Sequence, residues 1–346
     1  MEKELLDKLD LNVPSAQERS RKESEIRTQR ASNRLSFGVN YLDKALARIS
    51  KKDLILLGAA TGCGKTELAI HIAAYNATLG KRVLFFALEA EECEVESRIK
   101  YKIAARKYFN APSYESGYVK NFTYRNWYND ALGSKANKYI DYANDVYHRE
   151  FKNLHTIYRE KDFYVKDFQK YLLALYKSYD LIIVDHFNYF DFEDNKNENQ
   201  AMTEVIKRIR DTSLLCGVPI LLLAQLRKLD KRVKQLVPDI DDFHGSSNLT
   251  KICTKVIVLA PDISDEVNVK DVDYKYKYKT YFRIPKFRVD GAVNRYIARC
   301  SFDIRTNRYD DKFEMGKLDY DGKTFNPITD TSLIPNWACD YYENKK

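Results

Sequence analysis

The sequence has no apolar run near the roughly 18 residues needed to span a membrane. Its first residues, Met1-Glu-Lys-Glu-Leu-Leu6, lack the apolar centre of a secretory signal. Cysteine is scattered: Cys63, Cys93, Cys216, Cys253, Cys300 and Cys339 include no pair at zinc-ligand spacing, so reduced, unpaired thiols are expected. Strong charge of one sign is missing as well. The 58 Lys and Arg residues against 50 Asp and Glu leave +8 over 346 residues, compatible with a nucleic-acid partner without requiring one. These absences point to a cytoplasmic chain that does not enter a membrane. The 31% charged and 44% hydrophobic residues suit a globular protein of one or two domains.

The most informative stretch is Ala59-Ala60-Thr61-Gly62-Cys63-Gly64-Lys65-Thr66. Asp53 to Leu57 is a short apolar run of buried-strand length, and Gly58 leads into the loop. Thr66 to Leu79 then repeats apolar residues at helical spacing and stops at Gly80. Strand, glycine loop and helix form the context of a phosphate-binding P-loop. Backbone N–H groups curl around phosphate oxygens there, and the helix N-terminus adds partial positive charge. Lys65 would reach the β- and γ-phosphates of ATP, and the Thr66 hydroxyl would ligate Mg2+. Ala59 at the first motif position replaces the usual glycine.

Three more strands end in polar residues, and ligands gather at such strand ends in open α/β sheets. Lys81 to Leu88 ends at Glu89, either a base for activating water or simply the start of an acidic helix. Tyr179 to Asp185 resembles a Walker B strand whose Asp185 would hold the magnesium shell opposite Thr66. Val218 to Ala224 ends at Gln225, whose amide can bond a γ-phosphate. Arg227, Lys228, Lys231, Arg232 and Lys234 follow, as a phosphate-contacting loop or a solvated surface. Asp241 to Ser247 includes His244, Gly245 and Ser246, donors suited to a nucleic-acid backbone or a plain polar turn.

The flanks are plainer. Residues 1–34 are too polar for a domain and read as a solvated arm or a helix docking on a neighbouring subunit, with Ser15 and Glu18 as a capping box. Residues 91–178 read as mostly helical, with their aromatics in packing roles. Tyr274 to Tyr281 is expected as an exposed edge, and Tyr281–Arg288 with Arg295–Phe302 as a hairpin around Asp290-Gly291. Lys286 and Arg288 fall on one face of that strand. Residues 304–346 show no long periodic element and are expected as an irregular tail.

The motif order resembles the RecA-like motor domain of hexameric replicative helicases: the bacterial DnaB type, phage primase-helicases and Twinkle. Gly38 to Asp43 is similar to the family's lead-in, Phe85 to Glu89 to its strand with the catalytic glutamate, and Leu181 to Asp185 to its Walker B strand. Val218 to Gln225 is similar to its glutamine strand, Asp242 to Ser246 to its DNA loop, and Ile284 to Arg288 to its Lys-x-Arg strand.

The resemblance covers residues 35 to 303 and implies an α/β fold. Its mainly parallel sheet would be flanked by helices and end in an antiparallel hairpin. It implies ATP and Mg2+ as cofactors, single-stranded DNA as partner, and a homo-hexamer working with a loader or other replication proteins. ATP would lie between subunits, with Lys65, Thr66, Glu89, Asp185 and Gln225 on one side and Lys286 and Arg288 arriving from the next. His244 replaces the arginine often found in the DNA loop. The 346 residues show neither a collar-forming N-terminal domain nor a cysteine-rich zinc module, so primase coupling by either route lacks support. Small size and many tyrosines and lysines suit a viral or mobile-element helicase. The competing readings are a RecA- or KaiC-type ATPase that binds DNA or protein without unwinding, and an inactive loading factor. Intact Lys65, Glu89 and Asp185 argue against the last.

Overall fold

Six strands run parallel; five of them are buried because their sequences are apolar on both faces, and the sixth, Leu154–Tyr158, forms the edge with a more polar sequence. The structure is a computed structural model and describes residues 14–32, 35–111, 122–192, 198–227, 235–243, 247–262 and 277–341. Two units divide at Arg34 and Leu35. In the first, helix α1 (Ala16–Ser32) starts at the predicted capping box. The Glu18 carboxylate accepts from the Ser15 N–H at 2.7 Å, and the Ser15 hydroxyl accepts from the Glu18 N–H at 3.2 Å. The short amphipathic helix that Leu5, Leu6 and Leu9 could form over Glu2 to Leu9 lies outside the described residues.

The second unit carries everything else. In chain order its elements begin with α2 (Asn40–Ala45), β1 (Leu54–Ala59), α3 (Lys65–Thr78), β2 (Val83–Ala87) and α4 (Glu94–Phe109). Next come α5 (Tyr124–Tyr128), α6 (Asn137–Glu150), β3 (Leu154–Tyr158), α7 (Val165–Leu175) and β4 (Leu181–Asp185). Then follow α8 (Glu198–Cys216), β5 (Ile220–Gln225), α9 (Ser247–Ile252), β6 (Lys255–Pro261) and β7 (Lys277–Phe287). The last strands are β8 (Ile297–Asp303), β9 (Arg308–Leu318) and β10 (Phe325–Pro327). One sheet of ten strands takes the order β10-β9-β8-β7-β6-β1-β5-β4-β2-β3. From β6 to β3 every pairing is parallel, and from β6 to β10 every pairing is antiparallel.

Alternation along β1 explains how one strand serves two cores. Ile55 and Leu57 face Leu68 and Ile72 of α3, whereas Leu54 and Leu56 face Ile206 and Ile209 of α8. A third cluster packs Tyr101, Phe122 and Tyr139 between α4 and α6, with Tyr108 stacked on Phe122 at 4.5 Å. The aromatics of that region are therefore packing residues, as expected.

Two expectations fail. Residues 304–346 are not an irregular tail, because β9 pairs with β8 and β10 pairs with β9. The alternation of Tyr309, Phe313 and Met315 is interrupted by Asp311, and a register shift between Cys300 and Phe302 breaks the period further. The opposite face carries a buried carboxylate, Glu314, paired with Arg299 at 2.6 Å, which masks the strand as a charged stretch. Nor is the Lys-Tyr repeat an edge. From Lys277 onward it is an interior strand between β6 and β8, with Tyr281 buried and its hydroxyl donating to Asp262 at 2.6 Å. Residues 274–276 lie outside the described residues. The predicted hairpin is present, with a short 3-10 turn, Gly291–Arg295, between its strands.

Candidate active site

The wholly buried β1 delivers the glycine loop to the carboxyl end of the sheet. Gly62 and Gly64 have φ of 78° and 85°, a left-handed backbone that a side chain resists. Gly64 is the N-cap of α3 and supplies no side-chain cap. The first N–H groups of α3 therefore keep no capping partner, which is the condition for binding an anion. Lys65 is buried at the start of this helix, and the loop residues Ala60, Thr61 and Gly62 are exposed. Cys63 is half-buried, and burial pushes its thiol up, so it is a neutral loop residue rather than a thiolate.

Neighbouring strands bring the polar ends together. Register pairs Ala87 of β2 with Asp185 of β4, and Ala59 of β1 with Gln225 of β5. The Gln225 amide donates to the Thr61 hydroxyl at 2.7 Å, so it already touches the P-loop. Asp185 is buried and hydrogen-bonded to Thr66. Burial pushes its carboxyl up to about 6 and Glu89 adds to the rise, against Thr66 and Lys65. One of its oxygens, Oδ1, is buried without a hydrogen-bond partner. An orphaned carboxylate oxygen beside a hydroxyl offers the oxygen ligands that a hard divalent cation takes, so Asp185 and Thr66 fit Mg2+.

Glu89 follows β2 by two residues and is exposed; α4 begins only at Glu94, so Glu89 is not the start of that helix. The Leu88 N–H donates to the Asp185 carbonyl at 2.6 Å, which ties the backbone just before Glu89 to that of Asp185. Tyr189 hydrogen-bonds to Glu89, and burial and that carboxylate hold its phenol above the usual range. Arg159 holds this tyrosine in turn by donating to its carbonyl at 3.2 Å, and pairs with Asp191 at 2.8 Å. Nothing in the sequence singled out Tyr189 or Arg159; both are recruited by tertiary contact. His186 is pushed down to about 3 by burial and by Lys65, so it is neutral, and its Nδ1 accepts from the Asn188 N–H at 3.2 Å. Behind the loop, Glu67 pairs with Lys102, and with Arg98 at 3.3 Å.

Lys286 and Arg288 are not among these groups. The register places Phe287 beside Lys255, and Lys255 beside Ile55, at the start of β1. Four residues separate Ile55 from Ala59, roughly 13 Å of strand, so both cations lie at the end of the sheet opposite their own P-loop. Lys286 donates to the carbonyls of Thr250 and Lys251 at 2.9 and 2.6 Å, and Arg288 is exposed just past β7.

Of the candidate DNA residues, Lys228, Lys231, Arg232, His244, Gly245 and Ser246 lie outside the described residues. The described positions from which they start are adjacent. Leu226 bridges Phe243, and the Arg227 N–H donates to the Asp242 carbonyl at 2.7 Å. Phe243 packs on β1 at Gly58, where a Cβ would lie 2.3 Å from its ring. The sequence pattern Asp242 to Ser246 contained this phenylalanine, but its partner, 185 residues earlier (243 − 58), could not be read from it.

Comparison with known proteins agrees with this geometry. The family model described as "DnaB-like helicase C terminal domain" matches residues 35–309. Among solved structures, an ATPase domain aligns at TM-score 0.65 and 14% identity, over 86% of this chain and 99% of that one. A DnaB-like replicative helicase, described with its interactions with primase, aligns at 0.63 and 14% identity, over 89% and 69%. At that identity the two structures speak for the fold. No curated protein matches the chain in sequence.

Proposed function

The chain belongs to the DnaB-like helicase C-terminal domain family, and from that premise we propose that it is an ATP-driven, ring-forming helicase. It would move on single-stranded DNA and unwind duplex during replication. The observation that carries this reading is the separation of the charged groups. Lys65, Thr66, Asp185, Glu89 and Gln225 gather at one end of the sheet, and Lys286 and Arg288 sit at the other. Cations so far from their own P-loop cannot reach its nucleotide, which supports a role at a nucleotide bound by a neighbour in a ring or filament.

Each residue then has a task. The P-loop amides and Lys65 bind the β- and γ-phosphates of ATP. Thr66 and Asp185 would hold Mg2+, which when bound neutralises phosphate charge. Glu89 takes a proton from the attacking water, oriented by the Tyr189 hydroxyl. Arg288 from the next subunit meets the charge that develops on the transferred phosphoryl group. Gln225 reports the state of the P-loop to the strand end at Arg227 and Phe243, where the candidate DNA segments begin.

The test is steady-state ATP hydrolysis with and without single-stranded DNA. Wild type should be stimulated by DNA. Lys65→Ala should lose both hydrolysis and tight nucleotide binding. Glu89→Gln should bind ATP normally while turnover collapses, because an amide cannot accept the proton. Normal turnover by Glu89→Gln would remove Glu89 from this role.

A further inference from the structure

The two cations at the end of β7 are held in different ways, and the difference separates their tasks. Arg288 is exposed just past the strand, with its backbone N–H on the Thr254 carbonyl at 3.0 Å. Lys286 is half-buried and folded back on its own subunit, where its Nζ donates to the carbonyls of Thr250 and Lys251 at 2.9 and 2.6 Å. Helix α9 spans only Ser247–Ile252, and the last four carbonyls of an α-helix have no intrahelical partner. Both carbonyls are among those four. A cation there satisfies two orphan acceptors and meets the negative end of the helix dipole. Lys286 is therefore the C-terminal cap of α9.

Pro285 helps to aim it there. Proline cannot donate to a ladder, and β7 is irregular at that point: Val258 pairs with Arg283 but Val256 pairs with Lys286, three steps along β7 against two along β6. The extra residue puts Arg283 and Lys286 on one face, where a regular strand would divide them between two. Arg283 uses that face to pair with Asp239. Asp239 in turn accepts from the Ile240 N–H at 2.6 Å, and its own N–H donates to the Asp242 carboxylate at 2.7 Å, which fixes the short turn Ile240–Asp242. The chain from Asp239 to Lys251 is thus held by β7 at both ends, by an ion pair at one and by Lys286 at the other. Its sequence includes His244, Gly245 and Ser246, the candidate DNA residues.

We infer that Lys286 is exchanged between two acceptors: it caps α9 while the neighbouring subunit's site is empty, and it leaves α9 for the phosphates when ATP is bound there. This rests on the reading that the cations of β7 act between subunits. Charge favours the exchange, because phosphate oxygens are anionic where carbonyls are only dipolar. The Arg283–Asp239 pair is untouched by it, so the α9 end is the one that yields. Leu249 and Cys253 are buried and keep the helix seated, so its last turn frays while the helix stays in place. ATP bound by one subunit thereby loosens α9 of the next.

The experiment is amide hydrogen exchange at residues 249–254 of the full chain, with and without ATPγS and magnesium, beside steady-state ATP hydrolysis. In wild type, ATPγS should speed this exchange about two- to fivefold, the effect of one charge at a helix end. Lys286→Met should exchange that fast without nucleotide and gain nothing further from ATPγS. Lys286→Arg keeps the charge and the donors, so without nucleotide it should match wild type. Arg288→Ala keeps its backbone bond to Thr254 and should also match wild type without nucleotide, although its hydrolysis collapses. Wild-type exchange in nucleotide-free Lys286→Met overturns the proposal, and so does a wild-type protein that ATPγS leaves unchanged or slows. A rise with ATPγS that persists in Lys286→Met travels within one subunit and overturns it too. If Lys286→Met and Arg288→Ala both hydrolyse ATP at the wild-type rate, the inter-subunit reading falls and this proposal falls with it. If both are crippled while exchange in α9 does not move, this proposal alone is removed.

Discussion

Gly58→Ala tests the physical link between the nucleotide loop and the candidate DNA segments. Gly58 is the last residue of β1 before the P-loop, and the Phe243 ring packs closely on it. A Cβ there would sit 2.3 and 2.4 Å from Cζ and Cε1 of Phe243 and 3.1 Å from Cδ2 of Leu226. Ordinary contact begins at 3.4 Å, so ring and strand must part by about 1 Å. Neither is free to do so. Phe243 is buried, and β1 is hydrogen-bonded to β5 and β6 on both sides. Overpacking of this kind costs about 1–3 kcal/mol. The strain falls on the Leu226–Phe243 bridge, because that bridge is a single pairing outside the regular strands. Thermal melting should drop by a few degrees. In a hydrolysis assay, stimulation by single-stranded DNA should fall much more than the basal rate. Adding Phe243→Leu, which shortens the obstructing ring, should return part of both. A Gly58→Ala protein that melts with wild type and keeps full DNA stimulation would refute the contact as the coupling route.

Two further outcomes follow from particular residues. Replacing Arg227, Lys228, Lys231 and Arg232 with alanine should weaken single-stranded DNA binding and flatten its salt dependence by about 0.7 in slope for each lost phosphate contact, and an unchanged slope would make this an ordinary surface. His71, half-buried with its Nε2 2.8 Å from the Gly38 carbonyl, has its pKa pushed down to about 4, first by loss of solvent and then by Lys102. The unfolded chain therefore takes up a proton near pH 6.5 that the fold refuses until about 4, and stability present above 6.5 is lost as pH falls through that window. The loss reaches about 3 kcal/mol, and denaturant melts of His71→Gln across pH 4 to 6.5 should be flatter than wild type.

The sequence made the nucleotide side of the molecule legible because that side is built from local patterns. A buried strand followed by glycines and a helix, and apolar runs ending in Glu89, Asp185 and Gln225, each carry their meaning within about ten residues. The C-terminal strands were hidden for the opposite reason. β9 reads as charged because Asp311 interrupts its apolar face and Glu314 lies on the other, and only pairing with β8 makes it a strand. Tyr189 beside Glu89, Arg159 on the Tyr189 carbonyl, and Phe243 on Gly58 are likewise contacts between distant segments. No periodicity records them.

The most direct test of the account is strand displacement from a forked DNA duplex by the full chain with ATP and magnesium. A ring motor that moves on single-stranded DNA should release the labelled strand, and the Lys65→Ala protein should release none. Hydrolysis that DNA stimulates but that never separates the strands would contradict the account and place the chain among RecA- or KaiC-type ATPases that bind DNA without unwinding it.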